Sequence, residues 1–161
     1  MIEILDYLNV REKNTSLGLT QPEGLGFIPR GFATTNSLSE MVYENETPTI
    51  RSLLRQEGVP VSRLDRDKIH FKDEQSEAFL VPLLYIPFLL IEQNPVLLDV
   101  AIGVISNYCY EIISGSNRKN LVKMEYVVES KTGDNKKVVY TGPVEGMKEV
   151  EKIIKEVHNE N

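Results

Sequence analysis

Residues 95–114 read PVLLDVAIGVISNYCYEIIS, and this stretch decides the fold. Asn94-Pro95 is a typical helix start and Gly115 is a typical helix stop, so the sequence predicts one long helix between them. Apolar residues occupy nearly the whole circumference of this helix, and such a helix has to be enclosed by the rest of its protein. We therefore expect a central buried helix.

The segments on either side of this helix have the patterns of strands. Ala78 to Tyr85 is apolar throughout, which indicates a strand buried on both faces, with Pro82 confining it toward an edge or a bulge. Leu121 to Glu129 alternates, and its charged residues, Glu129 among them, are expected on the wet face. If these two strands are parallel, the central helix is a right-handed crossover between them.

The rest of the C-terminal half predicts a hairpin and a helix. The polar loop 130–135 returns the chain into a strand at 136–141. Gly142-Pro143 then begins a helix with a single apolar stripe, formed by Val144, Met147, Val150, Ile154 and Val157. The fold class is α+β: a single domain with a small mixed β-sheet, a central buried helix, and a C-terminal β-hairpin followed by an amphipathic helix.

The N-terminal half has weaker patterns. Residues 2–8 have helical spacing and predict a short helix, with a strand as the alternative. Residues 11–36 are rich in Gly, Pro, Ser and Thr and are expected to be irregular, as in loops ordered by a partner. A short helix is expected over 37–44, and a second helix is expected to start with Thr47 as its N-cap. The whole chain, 1–161, is interpreted as one domain.

Composition limits the class of protein. The chain has 161 residues, of which 41% are hydrophobic and 26% charged, which suits one globular domain. The formal net charge of −6 argues against a nucleic-acid partner. Cys109 is the only cysteine, so no internal disulfide forms, and the N-terminus lacks the pattern of a secretory signal. A cytoplasmic location is expected.

No membrane span is expected either. The apolar run 78–91 would reach only about 21 Å as a helix, against about 30 Å for a hydrocarbon core. The segment 95–114 is long enough, but Asp99, Asn107 and Glu111 are costly at membrane depth.

The candidate binding residues lie mainly on the central helix. At about 100° per residue, Asp99, Ser106 and Tyr110 fall within a band of roughly 60°. Together with Arg30 they are the predicted site residues. In the functional interpretation, a carboxylate and two hydroxyls hold a polar ligand or a partner. In the alternative interpretation, the band is the wet side of a helix packed on a sheet, or its groups satisfy each other.

Arg30 is the fourth candidate, because it lies in the segment 23–31, which contains three glycines. Glycines can let backbone amides approach an anion, and Arg30 would supply the counter-charge. The segment lacks the spacing of a dinucleotide turn or of a nucleoside-triphosphate loop. A turn-rich loop that covers the core is the alternative interpretation.

Acidic residues leave an enzyme open as a second class. Carboxylates crowd into residues 65–74, but interleaved cations favour surface ion pairs there over a metal site. Glu129-Ser130-Lys131 matches the Glu-x-Lys half of a restriction-nuclease pattern, with Asp99 or Asp67 as the only partners to suggest. No catalytic residue, metal ligand set or cofactor is predicted, and Cys109 is interpreted as a buried structural thiol.

These observations favour a non-catalytic protein-interaction or accessory subunit of a homo- or hetero-oligomeric intracellular complex, whose partner is another protein or a second copy of the chain. The alternative is a metal-dependent enzyme that acts on nucleic acid or a nucleotide through acidic residues. A carboxylate pair converging in a cleft would separate the two classes.

Overall fold

The structure is a computed structural model that describes residues 1–63, 70–72, 79–115 and 119–160, without the side chains of residues 63 and 70–72. The strands are β1 Ile2–Tyr7, β2 Leu25–Ile28, β3 Val42–Glu44, β4 Val61–Arg63, β5 His70–Lys72, β6 Phe79–Leu80, β7 Leu83–Ile86, β8 Val122–Glu129 and β9 Asn135–Gly142. The helices are α1 Val10–Leu17, α2 Thr47–Gln56, α3 Phe88–Gln93, α4 Val96–Ser114 and α5 Glu149–His158.

One mixed sheet organises the molecule. Its strand order is β1-β9-β8-β7-β2-β4, with β6 also paired to β8, and β3 and β5 form a separate parallel pair. β7 and β8 run parallel, so α3 and α4 carry the chain across from one to the other. β8 and β9 are antiparallel and form the predicted hairpin. The chain is a single mixed α+β domain, as predicted, and its seven-stranded sheet is larger than expected.

The apolar segment 78–85, predicted as one strand, is divided at Pro82 into β6 and β7. Between Phe79 and Leu84 the chain advances five residues, while their partners on β8 are only four residues apart. Proline cannot donate to a strand ladder, and the extra residue absorbs this defect as a bulge does. Because β7 lies between β8 and β2, Pro82 marks a bulge and not an edge.

Alternation along β8 divides the sheet into two faces. Tyr126 interacts with the thiol of Cys109 on α4, so its face, which we call the α4 face, carries the long helix. Glu129 points to the opposite face and is bound by Arg11 of α1, and we call this the α1 face. The helix α5 contacts both β8 and β9 and is joined to α4 by an ion pair from Lys155.

The prediction of a helix over residues 2–8 is wrong, because these residues form β1. β1 pairs antiparallel with β9 over its whole length, from Ile2 opposite Tyr140 to Tyr7 opposite Asn135. A segment this short with apolar residues at adjacent positions fits either period, and strand pairing with distant residues decided between them.

The prediction of an irregular segment at 11–36 is also wrong. Most of α1 and all of β2 lie within it. The side chain of Asn9 accepts the amide of Glu12 and caps α1, and Gly18 ends α1 with a φ of 71°. β2 is fully buried between β7 and β4, so two glycines and a proline nearby did not prevent strand formation.

Residues 37–44 form a 3-10 turn at Leu38–Glu40 and then β3, where a short helix was predicted. The next helix, α2, has Glu46 at its N-cap and no side-chain capping bond, so Thr47 is not the cap. The hydroxyl of Thr47 is buried and has no hydrogen-bond partner among the described residues.

The other helix predictions are confirmed. α3 begins after Pro87, and α4 begins after Pro95 and ends before Gly115. After a 3-10 turn at Val144–Gly146, α5 buries most of its predicted stripe, as Val150, Ile154 and Val157. The predicted start at Gly142-Pro143 is therefore a turn that leads into the helix.

Candidate functional site

The central helix is enclosed on one side only. Six of the 19 residues of α4 are buried, and they are Leu98, Ala101, Ile102, Ile105, Ser106 and Cys109. Among the described residues, α4 is also the one helix long and apolar enough to cross a membrane, which is weak support for a span because core helices pass the same test. The exposed residues of α4 mix apolar with polar and acidic side chains, and they are Val96, Asp99, Asn107, Tyr110, Glu111 and Ser114.

The exposed side of α4 continues onto α3. Leu89 of α3 and Val96 and Tyr110 of α4 are large apolar side chains that are 57%, 60% and 57% exposed. We call these three residues, with Asp99 and Gly103 between them on α4, the α3–α4 outer surface. The stretch 88–114 contains three acidic residues and no Lys or Arg, so acidic side chains lie beside the apolar ones on this surface.

The structure separates the residues of the predicted binding band. Asp99 is exposed and its Oδ1 lies 3.1 Å from Nζ of Lys155, which also contacts Glu151 at 3.1 Å. Tyr110 is exposed about three turns further along the helix. Ser106 is only 7% exposed, and its Oγ has no hydrogen-bond partner among the described residues. Asp99 and Tyr110 thus share a surface that Ser106 does not reach.

Arg30 lies in a different part of the fold. Its Nε is 2.7 Å from Oε1 of Glu44, and its backbone forms an isolated bridge with Val42. The guanidinium therefore links the end of β2 to β3 through an ion pair. This contact gives Arg30 a structural role beside whatever binding role it has.

The most developed polar cluster of the described residues was not predicted as a site. Glu129, expected on a wet surface, is only 9% exposed. Its Oε2 accepts hydrogen bonds from Nε of Arg11 at 2.7 Å and from the hydroxyl of Tyr85 at 2.7 Å. Its Oε1 accepts the backbone amide of Phe88 at 3.0 Å. We call Arg11, Tyr85, Phe88 and Glu129 the Glu129 cluster.

The contacts of this cluster set its charge state. Burial raises the pKa of Glu129, but the hydrogen bonds from Arg11, Phe88 and Tyr85 outweigh it and hold that pKa below its usual value. Burial, together with the hydrogen bond to Glu129, raises the pKa of Tyr85, so the phenol stays protonated. The guanidinium also lies over the Tyr85 ring at 5.9 Å. The cluster is a satisfied ion pair that joins α1, β7, α3 and β8.

His158 extends this region, although chain termini usually fray. It is 3% exposed, and its ring stacks on Phe88 with centroids 4.5 Å apart. Its Nε2 lies 3.3 Å from the carbonyl oxygen of Phe88 and 3.4 Å from Oε1 of Glu92. The end of α5 is thereby fixed to α3.

A second polar cluster lies inside the α4 face. The hydroxyl of Tyr108 donates to Glu46 at the start of α2. Burial, and secondarily the charge of Glu46, raises the pKa of Cys109 to about 12. The thiol is therefore protonated and buried, which agrees with a structural role. Tyr126, also buried here, has a hydroxyl with no hydrogen-bond partner among the described residues.

The structure offers little support for metal chemistry. No group of three or more His, Cys, Asp or Glu side chains that could hold a metal occurs among the described residues. The carboxylate of Glu129 is already occupied by its three donors, so it does not match the nuclease role. Asp65, Asp67, Asp73 and Glu74 lie outside the described residues.

Two open depressions occur on single helices. One, of about 400 Å³, is lined by α2 residues including Arg51 and Arg55, and another, of about 370 Å³, is lined by Arg11, Glu12, Thr15 and Ser16 of α1. Sites for small molecules generally enclose most of the ligand surface. A depression lined by residues of a single helix does not enclose a ligand in this way.

Comparison with known proteins gives no further guide, because no family model, no curated protein and no solved structure matches this chain.

Proposed function

We propose that this chain is a non-catalytic protein-interaction or accessory subunit of an intracellular oligomeric complex, and that the α3–α4 outer surface binds a protein partner. One observation carries the proposal. Leu89, Val96 and Tyr110 are each more than half exposed beside a helix whose opposite side builds the core. Val96 and Tyr110 lie on the same exposed side of α4, and large apolar side chains grouped on a surface with polar neighbours mark interaction sites.

The chemistry of the surface specifies the partner. An apolar centre with aromatic and aliphatic side chains suits a complementary apolar helix or sheet face, and tyrosine is enriched at the centres of interfaces. Asp99 is already paired with Lys155, so Glu92 and Glu111 are the acidic residues that a basic margin on the partner would fit.

Site-specific photocrosslinking in the native cell tests this proposal. A benzophenone amino acid at Tyr110 is a conservative change on an exposed ring, and the matched control carries it at Ser16 on α1. We expect a discrete protein adduct from position 110 and none of the same mass from position 16. Adducts to lipid alone, or identical adducts from both positions, would contradict the proposal.

A blocking variant sharpens the test. Nothing lies within 4 Å of a Cβ added at Gly103, so Gly103→Arg places a long cation on this surface without disturbing the core. It should remove the Tyr110 adduct, while Ser16→Arg, with the same change of charge on α1, should leave it intact.

A further inference from the structure

β1 is an edge strand with one neighbour. It pairs only with β9 among the described strands, and it carries six residues, whereas β4 at the other end of the sheet carries three. Edge strands are usually protected by proline, a bulge, lysine or a covering segment, because their free backbone groups can pair with another chain. β1 contains no proline and no lysine, and its register with β9 is continuous.

The free backbone groups of β1 can be identified from its register. The N–H of Met1 and that of Thr141 each donate to the carbonyl oxygen of the other residue, at 2.8 Å and 3.0 Å. Such pairs recur every second residue in an antiparallel ladder. Residues 3, 5 and 7 are therefore bonded to β9, and Ile2, Ile4 and Asp6 direct their N–H and C=O groups outward.

The side chains of this edge are apolar on both faces of the sheet. Ile4 is 49% exposed on the α4 face, and Leu5 is 43% exposed on the α1 face. Asp6 is held by Lys136 of β9 within the same chain. A strand added at this edge would cover Ile4 and Leu5 on both faces at once.

A second copy of β1 is complementary to this edge in one register. Antiparallel pairing centred on Ile4 makes Ile4 face its own copy, Ile2 face Asp6, and Glu3 face Leu5. All three outward residues then form hydrogen-bonded pairs, and no carboxylate lies opposite another. A register centred on Glu3 would put two carboxylates face to face, and one centred on Leu5 loses a hydrogen-bonded pair.

We propose that two copies of this chain associate through β1 in the register centred on Ile4, so that their sheets become continuous. A two-fold contact of this kind uses the same patch on both copies and closes, which limits the assembly to a dimer. This inference rests on the proposed function, in which the chain belongs to an oligomeric complex. It adds that one partner in that complex is a second copy of the chain. It uses a different surface from the α3–α4 outer surface.

Cysteine crosslinking tests the register in the full chain. Residues opposite each other in a hydrogen-bonded pair have Cα atoms about 5.5 Å apart, a distance that a disulfide spans. Ile4→Cys should therefore form a covalent dimer under mild oxidation. Leu5→Cys is the matched control, because it would crosslink efficiently only in the register centred on Leu5. The buried Cys109 does not compete.

A proline variant tests the interface without cutting the intramolecular ladder. The N–H of Ile4 points away from β9, so Ile4→Pro removes only an outward donor. Sedimentation should show a dimer of the 18.3 kDa chain for the parent and for Ile4→Val. Ile4→Pro should weaken this dimer by about tenfold or more, because both bonds of the central pair are lost.

Each outcome separates this inference from the proposed function. A parent chain that stays monomeric at high concentration, or an Ile4→Cys dimer no more abundant than the Leu5→Cys one, overturns the β1 dimer. The Tyr110 crosslink persisting in Ile4→Pro would then keep the proposed function. A dimer that survives Ile4→Pro but is lost in Gly103→Arg assigns self-association to the α3–α4 outer surface and also overturns the β1 dimer. If the parent chain forms the β1 dimer but gives no protein adduct from position 110, the proposed binding surface is wrong and the β1 dimer stands.

Discussion

The two faces of the sheet are closed by different forces. On the α4 face, Ile102, Ile105 and Cys109 pack against the strands, and two buried hydroxyls, those of Ser106 and Tyr126, have no partner among the described residues. On the α1 face, Glu129 receives hydrogen bonds from three donors. Both faces bury apolar side chains, but the α1 face also buries the carboxylate of an ion pair, so variants at Ile105 and at Glu129 should respond differently to pH.

A cavity on the α4 face should have the largest effect. Ile105 is fully buried on α4, so Ile105→Ala should lower the free energy of unfolding by about 3 kcal/mol, as large-to-small core changes do. Urea denaturation measures this. Val100→Ala on the same helix is the control, because Val100 is only partly buried and should lose much less. Equal losses would mean that α4 is not packed as described.

Loss of charge on the α1 face should have the next largest effect. Glu129→Gln should lower the free energy of unfolding by about 2 kcal/mol, because an amide cannot accept from all three donors and leaves Arg11 without its counter-charge. Glu125→Gln, on the same strand with ion pairs of 3.8 and 3.9 Å, should lose at most about 0.5 kcal/mol. If Glu129→Gln left the free energy of unfolding unchanged, the cluster would contribute no stability.

Acid should weaken the contribution of Glu129 on the α1 face. The pKa of Glu129 lies below its ordinary value of 4.5 in the folded chain, so its stabilising contribution is complete above that value and is lost as the pH falls from 4.5 through the folded pKa. The stability difference between the parent and Glu129→Gln should therefore shrink over that window. The difference in free energy of unfolding between the parent and Ile105→Ala should stay constant over the same window. Urea denaturation of both variants at a series of pH values compares the two differences.

On the α4 face, removing the polar group of Ser106 should not lower the free energy of unfolding, in contrast to the change at Glu129. Ser106→Ala removes a buried polar atom that has no hydrogen-bond partner within the described part of the chain, so it should leave the free energy of unfolding unchanged or raise it by up to about 1 kcal/mol. Tyr110→Phe, at an exposed ring, should leave the melting temperature unchanged. If Ser106→Ala were clearly destabilising, its hydroxyl would have a partner in solution, and the predicted band would be internal structure.

The smallest effect is expected where α4 meets α5 at the surface. Asp99 and Lys155 are about half exposed, so Asp99→Asn should change the free energy of unfolding by at most about 0.5 kcal/mol. The variant should also keep the Tyr110 crosslink if Asp99 contributes only to the margin of the surface. Loss of that crosslink would place Asp99 at the centre of the binding site.

The positions of the elements were predictable where local signals agreed. Pro87, Pro95 and Gly115 marked the ends of α3 and α4, because proline and glycine act through their own backbone geometry. β1 and β2 were missed because their strands form only through partners far along the chain, such as β9 for β1. The Glu129 cluster was missed for the same reason, since Arg11 and Glu129 are 118 residues apart. An apolar residue, Val127, two positions before Glu129 on the same side of the strand, was a local signal that this face is not solvent-exposed throughout.

By itself, the sequence determined the α+β class, the long apolar helix, the C-terminal hairpin and the amphipathic helix that follows it, because periodicity and capping depend on neighbouring residues. It also determined that Cys109 has no disulfide partner within the chain. Only the tertiary structure decided which side of α4 is covered, that Glu129 is buried beside Arg11, and that β1 lies at the edge of the sheet formed by the described strands. These features depend on which distant segments meet, and that is set by packing of the whole chain, which no local pattern encodes.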